Sequence, residues 1–365
     1  MPDASLASRP RFRRVARFAV YLCFLGLVLE GAARWAVSSD MVFGRIAGPY
    51  DEPSWRLNWL RRHRGGETAL RLPFDRHHPV RGWSLAPGQR SAEAFGGKGL
   101  TSNSEGLRGS REFAVPKPAG VRRIALFGDS FTFGEDVGDD DTFAAQMARL
   151  LPDVEILNFG VHGYGHDQML LYMREALPRF QPDVVLIGHV TDDALRNLNT
   201  FRDFAKPRFR RSGESLQLEG VPVPTPEMVL AARFRESRLL DLFEMARVRI
   251  EWRWGDRMAE VDRLMDALLT TMAREARAAG ARPAIVLLPA WNELRVPSTA
   301  PLSGEEFVTQ LARRESVPSL RLRPLFVERA RLGAEFQSVG HWGALEHRLA
   351  AGGIVDFLRR EALVP

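Results

Sequence analysis

The sequence predicts an α/β protein: a flavodoxin-like three-layer sandwich with a central parallel sheet of about five strands, preceded by an N-terminal membrane helix. Three observations predict it. Short apolar runs bounded by turn residues recur at "RRIALFG" (122–128), "VEILNFG" (154–160), "DVVLIGHV" (183–190) and "PAIVLLPA" (283–290), each reading as a strand buried on both faces. Between them "DTFAAQMARLL", "HDQMLLYMREAL" and the long 226–279 segment carry helical periodicity. A basic cluster followed by an apolar run opens the chain.

That opening segment sets the first element. Arg9, Arg11, Arg13, Arg14 and Arg17 precede "FAVYLCFLGLVL" (18–29), a membrane-targeting signature. The uninterrupted apolar part suits the core of a signal peptide, yet "EGAARWAV" continues the helix to Val37, with Glu30 and Arg34 spaced to pair and Tyr21 and Trp35 suited to an interface. An uncleaved anchor is favoured, and a cleaved signal is the alternative. The positive-inside rule then puts the bulk of the chain outside the cytoplasm: a single-pass membrane protein, periplasmic in a Gram-negative cell. "VYLC" lacks the small residue that precedes a lipidated cysteine.

Charge and cysteine narrow the partners. Lys and Arg number 51 against 45 acidic residues, a formal net charge of +6. The excess is one N-terminal cluster plus arginines scattered through helices, without an aromatic-basic module, so no nucleic-acid partner is expected. The lone Cys23 excludes an internal disulfide framework and a cysteine-based zinc site.

Three domains follow in order: a basic tail and anchor (1–37), a loop-rich extension (38–120) and the α/β domain (121–365). The extension is rich in Gly, Pro, Trp and Arg, shows no long helical period, and reads as loops and short strands ending in the linker "VPKPAG". Within it, "TSNSEGLRG" (101–109) reads as a turn cluster that could pack against the site, and adjacent His77 and His78 point to opposite faces of a strand rather than to one metal. In the α/β domain, 200–225 is an insertion whose Ser212-Gly213 turn indicates a hairpin, either a lid or a surface feature. "EWRWGDR" (251–257) breaks two helices, "SLRLRPL" (319–325) supplies the fifth strand, and Ala344–Arg360 forms the closing helix.

Polar tips on successive strands carry the chemistry. "RIALFGDSFTFGEDV" (123–137) breaks from a buried strand into glycine, acid and hydroxyl at the carboxyl end, where open α/β sheets bind ligands. "NFGVHGYGHDQ" (158–168) adds three glycines that let backbone N–H groups approach a ligand, with His162 and His166 read as packing or capping residues. "GHVTDDALRN" (188–197) ends the third strand, and in "GHWGALEHRLAA" (340–351) His341 opens the final helix. A nucleophile, an oxyanion donor and a base need such convergence. The acidic run Asp136 to Asp141 reads only as favourable charge near a helix start.

In order and spacing these blocks resemble the SGNH (GDSL-type) hydrolases over residues 121 to 360. The resemblance puts Ser130 of "GDSF" at the nucleophile, Gly163 of "NFGVHG" at the oxyanion glycine and His341 at the base. It implies an oxyanion hole made by Ser130, Gly163 and Thr191, with no metal and no cofactor. Two positions depart from the family pattern. Thr191 stands where the third block has asparagine, and Ser338-Val339-Gly340 carries no aspartate before His341, leaving Glu335 as the nearest candidate to orient the imidazole. The implied activity is a serine ester hydrolase that removes small O-acyl groups, acetyl from a glycan being the favoured case, outside the cytoplasm. An O-acyltransferase of the same fold and a catalytically silent carbohydrate-binding descendant are the alternatives. The expected partners are an acylated small molecule or glycan and the membrane.

Overall fold

The computed structural model describes residues 9–48, 51–63, 70, 72–213, 215–232, 235–337 and 339–364. Its central sheet is built from β1 (Arg122–Phe127), β2 (Val154–Asn158), β3 (Val184–His189), β4 (Arg282–Leu287) and β5 (Ser319–Arg321). The strands are all parallel and lie in the order β2-β1-β3-β4-β5. Order reverses between β1 and β3, and the carboxyl ends there form the crevice where a doubly wound sheet binds ligands.

Strands β1 to β4 are short and mostly apolar because both faces are covered. Ile124 and Leu126 of β1 join Val184, Leu186 and Val286 in one core, with Phe143 and Met147 of α5 (Phe143–Leu150) and Ile354 and Leu358 of α12 (Ala344–Arg360). On the other face Phe127 stacks on Phe159, and both meet the ring of Tyr172 in α6 (His166–Phe180) edge-on. The helix α9 (Arg257–Ala278) packs beside α6 and β4 on that side. Such alternation of side chains between two dry faces is what a near-continuous apolar strand requires.

The chain divides into two compact units, 1–68 with 227–255, and 69–226 with 256–365. In the first, α1 (Arg9–Ser38) joins α2 (Asp40–Ile46), α3 (Glu52–Arg62) and α8 (Arg238–Trp254) around Val37, Phe43, Leu57 and Met245. Glu30 of α1 accepts hydrogen bonds from Ser237 Oγ and from the N–H groups of Arg238 and Leu239, so it caps α8. Phe12–Ser38 is long and apolar enough to cross a bilayer. A membrane anchor and a signal sequence both have that character.

One sequence expectation is corrected here. Within the extension read as loops and short strands, Asp40–Ile46 and Glu52–Arg62 are helices. Each starts on a side-chain cap, Ser39 accepting from Val42 N–H and Asp51 from Ser54 N–H. Both helices are too short for periodicity to show, and their packing on α1 and α8 decides the structure.

The second unit begins with two small antiparallel ladders, Asp75–His78 with Gly82–Leu85 and Arg90–Ser91 with Leu100–Thr101. Phe74, Leu85, Ala94 and Leu100 close a satellite core over Phe133, the last residue of the turn that follows β1. The 200–225 insertion contains the expected hairpin, Arg208–Ser212 paired with Ser215–Glu219.

Candidate active site

Ser130 opens a single helical turn, α4 (Ser130–Phe133), directly after β1. Asp129 caps that turn by accepting from Phe131 N–H at 3.0 Å. The buried Arg196 holds the same carboxylate at 3.2 Å while also reaching Asp193 and the Tyr164 carbonyl. Gly134 ends the turn at φ +83, its N–H donating to the Ser130 carbonyl. Strand, cap and glycine together leave a buried serine hydroxyl at the sheet's carboxyl edge.

The loop after β2 presses against this turn. Asn158 donates to the Thr132 carbonyl at 2.9 Å and accepts from Gly160 N–H at 2.9 Å. A Cβ on Gly160 would lie 2.4 Å from Phe133 N, so the backbones meet at a distance only glycine allows. Gly163 has φ +72, and a Cβ there would lie 2.1 Å from Asp203 Oδ2 and 3.3 Å from the Trp83 ring. Trp83 Nε1 donates to the His162 carbonyl, and His162 Nε2 sits 2.8 Å from Asp75, which fixes the residue before Gly163. Ser130 N–H belongs to the first helical turn, whose donors have no partner within the helix.

His341 lies ahead of α12 rather than within it. Its neighbour Trp342 is buried, donating to the Pro289 carbonyl at 2.9 Å and meeting the ring of Phe131 edge-on and that of Phe326 at a tilt. That anchor puts His341 Nε2 2.9 Å from Ser130 Oγ. Nδ1 faces Asp136 Oδ2 at 3.2 Å, and Glu135 Oε2 lies 3.8 Å from Nε2. The hydrogen bond from His341 outweighs burial and holds the Asp136 carboxyl below the ordinary carboxylate range.

Two expected residues are placed differently. The carboxylate at the imidazole is Asp136, on the loop after the nucleophile turn, and not Glu335. Ser338 lies outside the described residues, and Val339 is exposed. The exposed Thr191 directs its hydroxyl to Glu293 Oε1 at 2.6 Å instead of toward Ser130. Burial raises the Glu293 pKa, the Thr191 bond working against it. His166 and His189 form a fully buried pair at 3.0 Å, a packing role.

Sequence reasoning missed Asp136 because an acidic run near a helix start already has an electrostatic explanation. The available signal was the pair Gly134 and Gly138 around "EDV", which marks a tight loop at the same strand end as Ser130.

A doubly wound parallel sheet that holds a serine hydroxyl 2.9 Å from a histidine at its switch point defines a class, hydrolases with a serine at the end of the first strand. Residues 126–332 match the model of the GDSL-like lipase/acylhydrolase family, and the chain belongs to that family. The matched stretch contains Ser130 and Gly163 and ends before His341. No curated protein matches the chain by sequence. Similar solved structures include the psychrotrophic esterase EstA from Pseudoalteromonas sp., at 13% identity and TM-score 0.40, covering 67% of this chain and 100% of that one. TesA is similar at 14% identity and TM-score 0.41, covering 66% and 99%. The acetyl xylan esterase AlAXEase is similar at 11% identity and TM-score 0.38, covering 64% and 98%.

Proposed function

We propose that the protein is a serine ester hydrolase that removes small O-acyl groups, acetyl from a glycan in the favoured case. In this reading α1 is its anchor and the second unit lies outside the cytoplasm. The single observation behind the chemistry is the 2.9 Å contact between Ser130 Oγ and His341 Nε2, with Asp136 at Nδ1.

Ser130 Oγ attacks the ester carbonyl while His341 Nε2 takes its proton and then delivers it to the leaving alcohol. Water repeats the sequence on the acyl-enzyme, giving up a proton to His341 and releasing the acid and Ser130. Asp136 accepts from Nδ1–H, which fixes the tautomer that leaves Nε2 free as base and steadies the imidazolium. The N–H groups of Ser130 and Gly163 receive the developing oxyanion. With the Thr191 hydroxyl turned to Glu293, two backbone donors carry that task. One donor is ordinarily worth about 100- to 1,000-fold in turnover, so basal hydrolysis is expected to be slow.

A fluorophosphonate probe tests this reading. Wild type should label at Ser130 and turn over a nitrophenyl acetate, and Ser130→Ala and His341→Ala should do neither. Equal labelling of wild type and Ser130→Ala would end it, and acyl loss that depends on an added glycan acceptor would replace hydrolysis by transfer. A reporter active only outside the cytoplasm, fused after Pro365, should be active; a silent fusion overturns the topology.

A further inference from the structure

We propose that Arg108 is a positioning residue for this site: its guanidinium fixes the loop that presents Asp136 to His341, so that a segment ahead of the sheet completes the constellation. The inference rests on the Ser130–His341–Asp136 reading above.

The loop buries Glu135 and Val137 but leaves the acid between them outside the packing. It runs between Gly134 at φ +83 and Gly138, and Asp136 adopts φ +71, a left-handed conformation that aspartate tolerates better than most residues. The Asp136 side chain is 52% exposed, so packing does not fix it. An exposed acid reaches an imidazole reproducibly only if the carbonyls on both sides of it are held in place.

Arg108 does so on both sides of the acid. Nη1 donates to the Gly134 carbonyl at 2.9 Å and the Phe133 carbonyl at 3.3 Å, and Nη2 donates to the Val137 carbonyl at 2.7 Å. Nε reaches Asp139 Oδ1 at 2.7 Å, while Thr101 binds the other oxygen of that carboxylate through its N–H and hydroxyl. The Arg108 side chain is 1% exposed, with its guanidinium near the rings of Phe95 and Phe133. Lys98, from the same segment, donates to the Asp136 carbonyl itself at 2.7 Å.

A buried cation that gives most of its donors to neutral carbonyls gains little net stability from the arrangement. What a planar fork with five fixed donors supplies is geometry, and the compact ammonium of lysine does not reproduce it. The geometry matters because a misplacement of about 1 Å at a catalytic group costs on the order of 100-fold.

A double-mutant cycle separates this role from a purely structural one. Labelling rates with a fluorophosphonate and turnover of nitrophenyl acetate are measured on the full chain for wild type, Arg108→Lys, Asp136→Asn and the double variant. Arg108→Lys should lower kcat by about 10- to 100-fold with KM nearly unchanged. In the Asp136→Asn background it should cost nothing more. A folded Arg108→Lys variant at wild-type rate overturns the proposal, as does an equal loss in both backgrounds. Should Arg108→Lys lose its cooperative melting transition, the exposed Lys98→Met substitution carries the same cycle, with a several-fold loss expected only where Asp136 is present and an equal effect in both backgrounds overturning it. Wild type that fails to label at Ser130 ends the hydrolase reading and this one together. Labelling at Ser130 with additive losses removes only the clamp.

Discussion

The bond between Asp136 and His341 has consequences that a single substitution exposes. In a serine–histidine pair the carboxylate selects the tautomer, and its loss can cost up to about 10,000-fold in turnover. Asp136→Asn is therefore expected to lower kcat by a large fraction of that factor with little change in KM, and an unchanged kcat would remove Asp136 from the site. The same contact links to stability. The His341 hydrogen bond lowers the folded-state pKa of Asp136, so its contribution is complete above the ordinary carboxylate value and is lost as pH falls through the lower, folded value. Urea unfolding of wild type and Asp136→Asn should differ at pH 7 and converge as the carboxylate protonates. Ser130 and His341 were legible in the sequence because one closely follows an apolar strand and the other shortly precedes the closing helix. Asp136 was not: Gly134 and Gly138 mark a tight loop, but the left-handed backbone at φ +71 falls on the aspartate between them, whose charge already had an explanation. Arg108 leaves no pattern either, since its partners are mostly backbone carbonyls.

Strands and turns differ in how far sequence reveals them. The first four strands lie where the apolar runs put them, because a strand covered on both faces has few polar positions to blur it, and β5 is a half-buried edge strand inside "SLRLRPL". The helices α2 and α3 escaped notice because tertiary contacts, more than propensity, make them helical. The turn α4 depends on a neighbouring element in a way the glycines of "NFGVHG" only hint at. Gly160 lets the loop after β2 approach the backbone of Thr132 and Phe133, with a hypothetical Cβ at 2.7 and 2.4 Å from those atoms. Backbone cannot yield as a side-chain tip can, so Gly160→Ala should destabilise the second unit by about 1–3 kcal/mol. It should also displace Ser130 from His341, so fluorophosphonate labelling should fall at temperatures where the variant is still folded. A Gly160→Ala protein with wild-type melting and labelling would show that the two backbones do not need this approach.

Across the molecule, buried imidazoles set the response to acid. Burial lowers His189 to about 4 and His347 to about 3. Each has a structural reason to stay neutral. His347 Nδ1 accepts from Phe143 N–H, so the neutral ring carries its proton on the buried Nε2, and a second proton on Nδ1 would set two N–H groups against each other. Asn197 Nδ2 donates to His166 Nδ1, which makes His166 Nε2 the donor to His189 Nδ1. Protonating His189 at Nδ1 would bring two N–H groups face to face. A histidine with a depressed folded pKa binds more protons when unfolded, so its contribution is complete above the unfolded value near 6.5 and declines as pH falls toward the folded value. Each such group can contribute a slope of up to about 1.4 kcal/mol per pH unit across that window. The imidazole contribution to unfolding free energies from urea titrations should therefore be steady from pH 8 to 7 and drop between pH 6 and 4, opposed by the buried carboxyls of Asp167 and Asp193, whose pKa values burial raises. His347→Asn keeps an acceptor for the Phe143 amide and does not titrate, so it should flatten the slope over the same range. An unaltered slope in His347→Asn would show that this imidazole reaches protons without unfolding the sheet that carries Ser130.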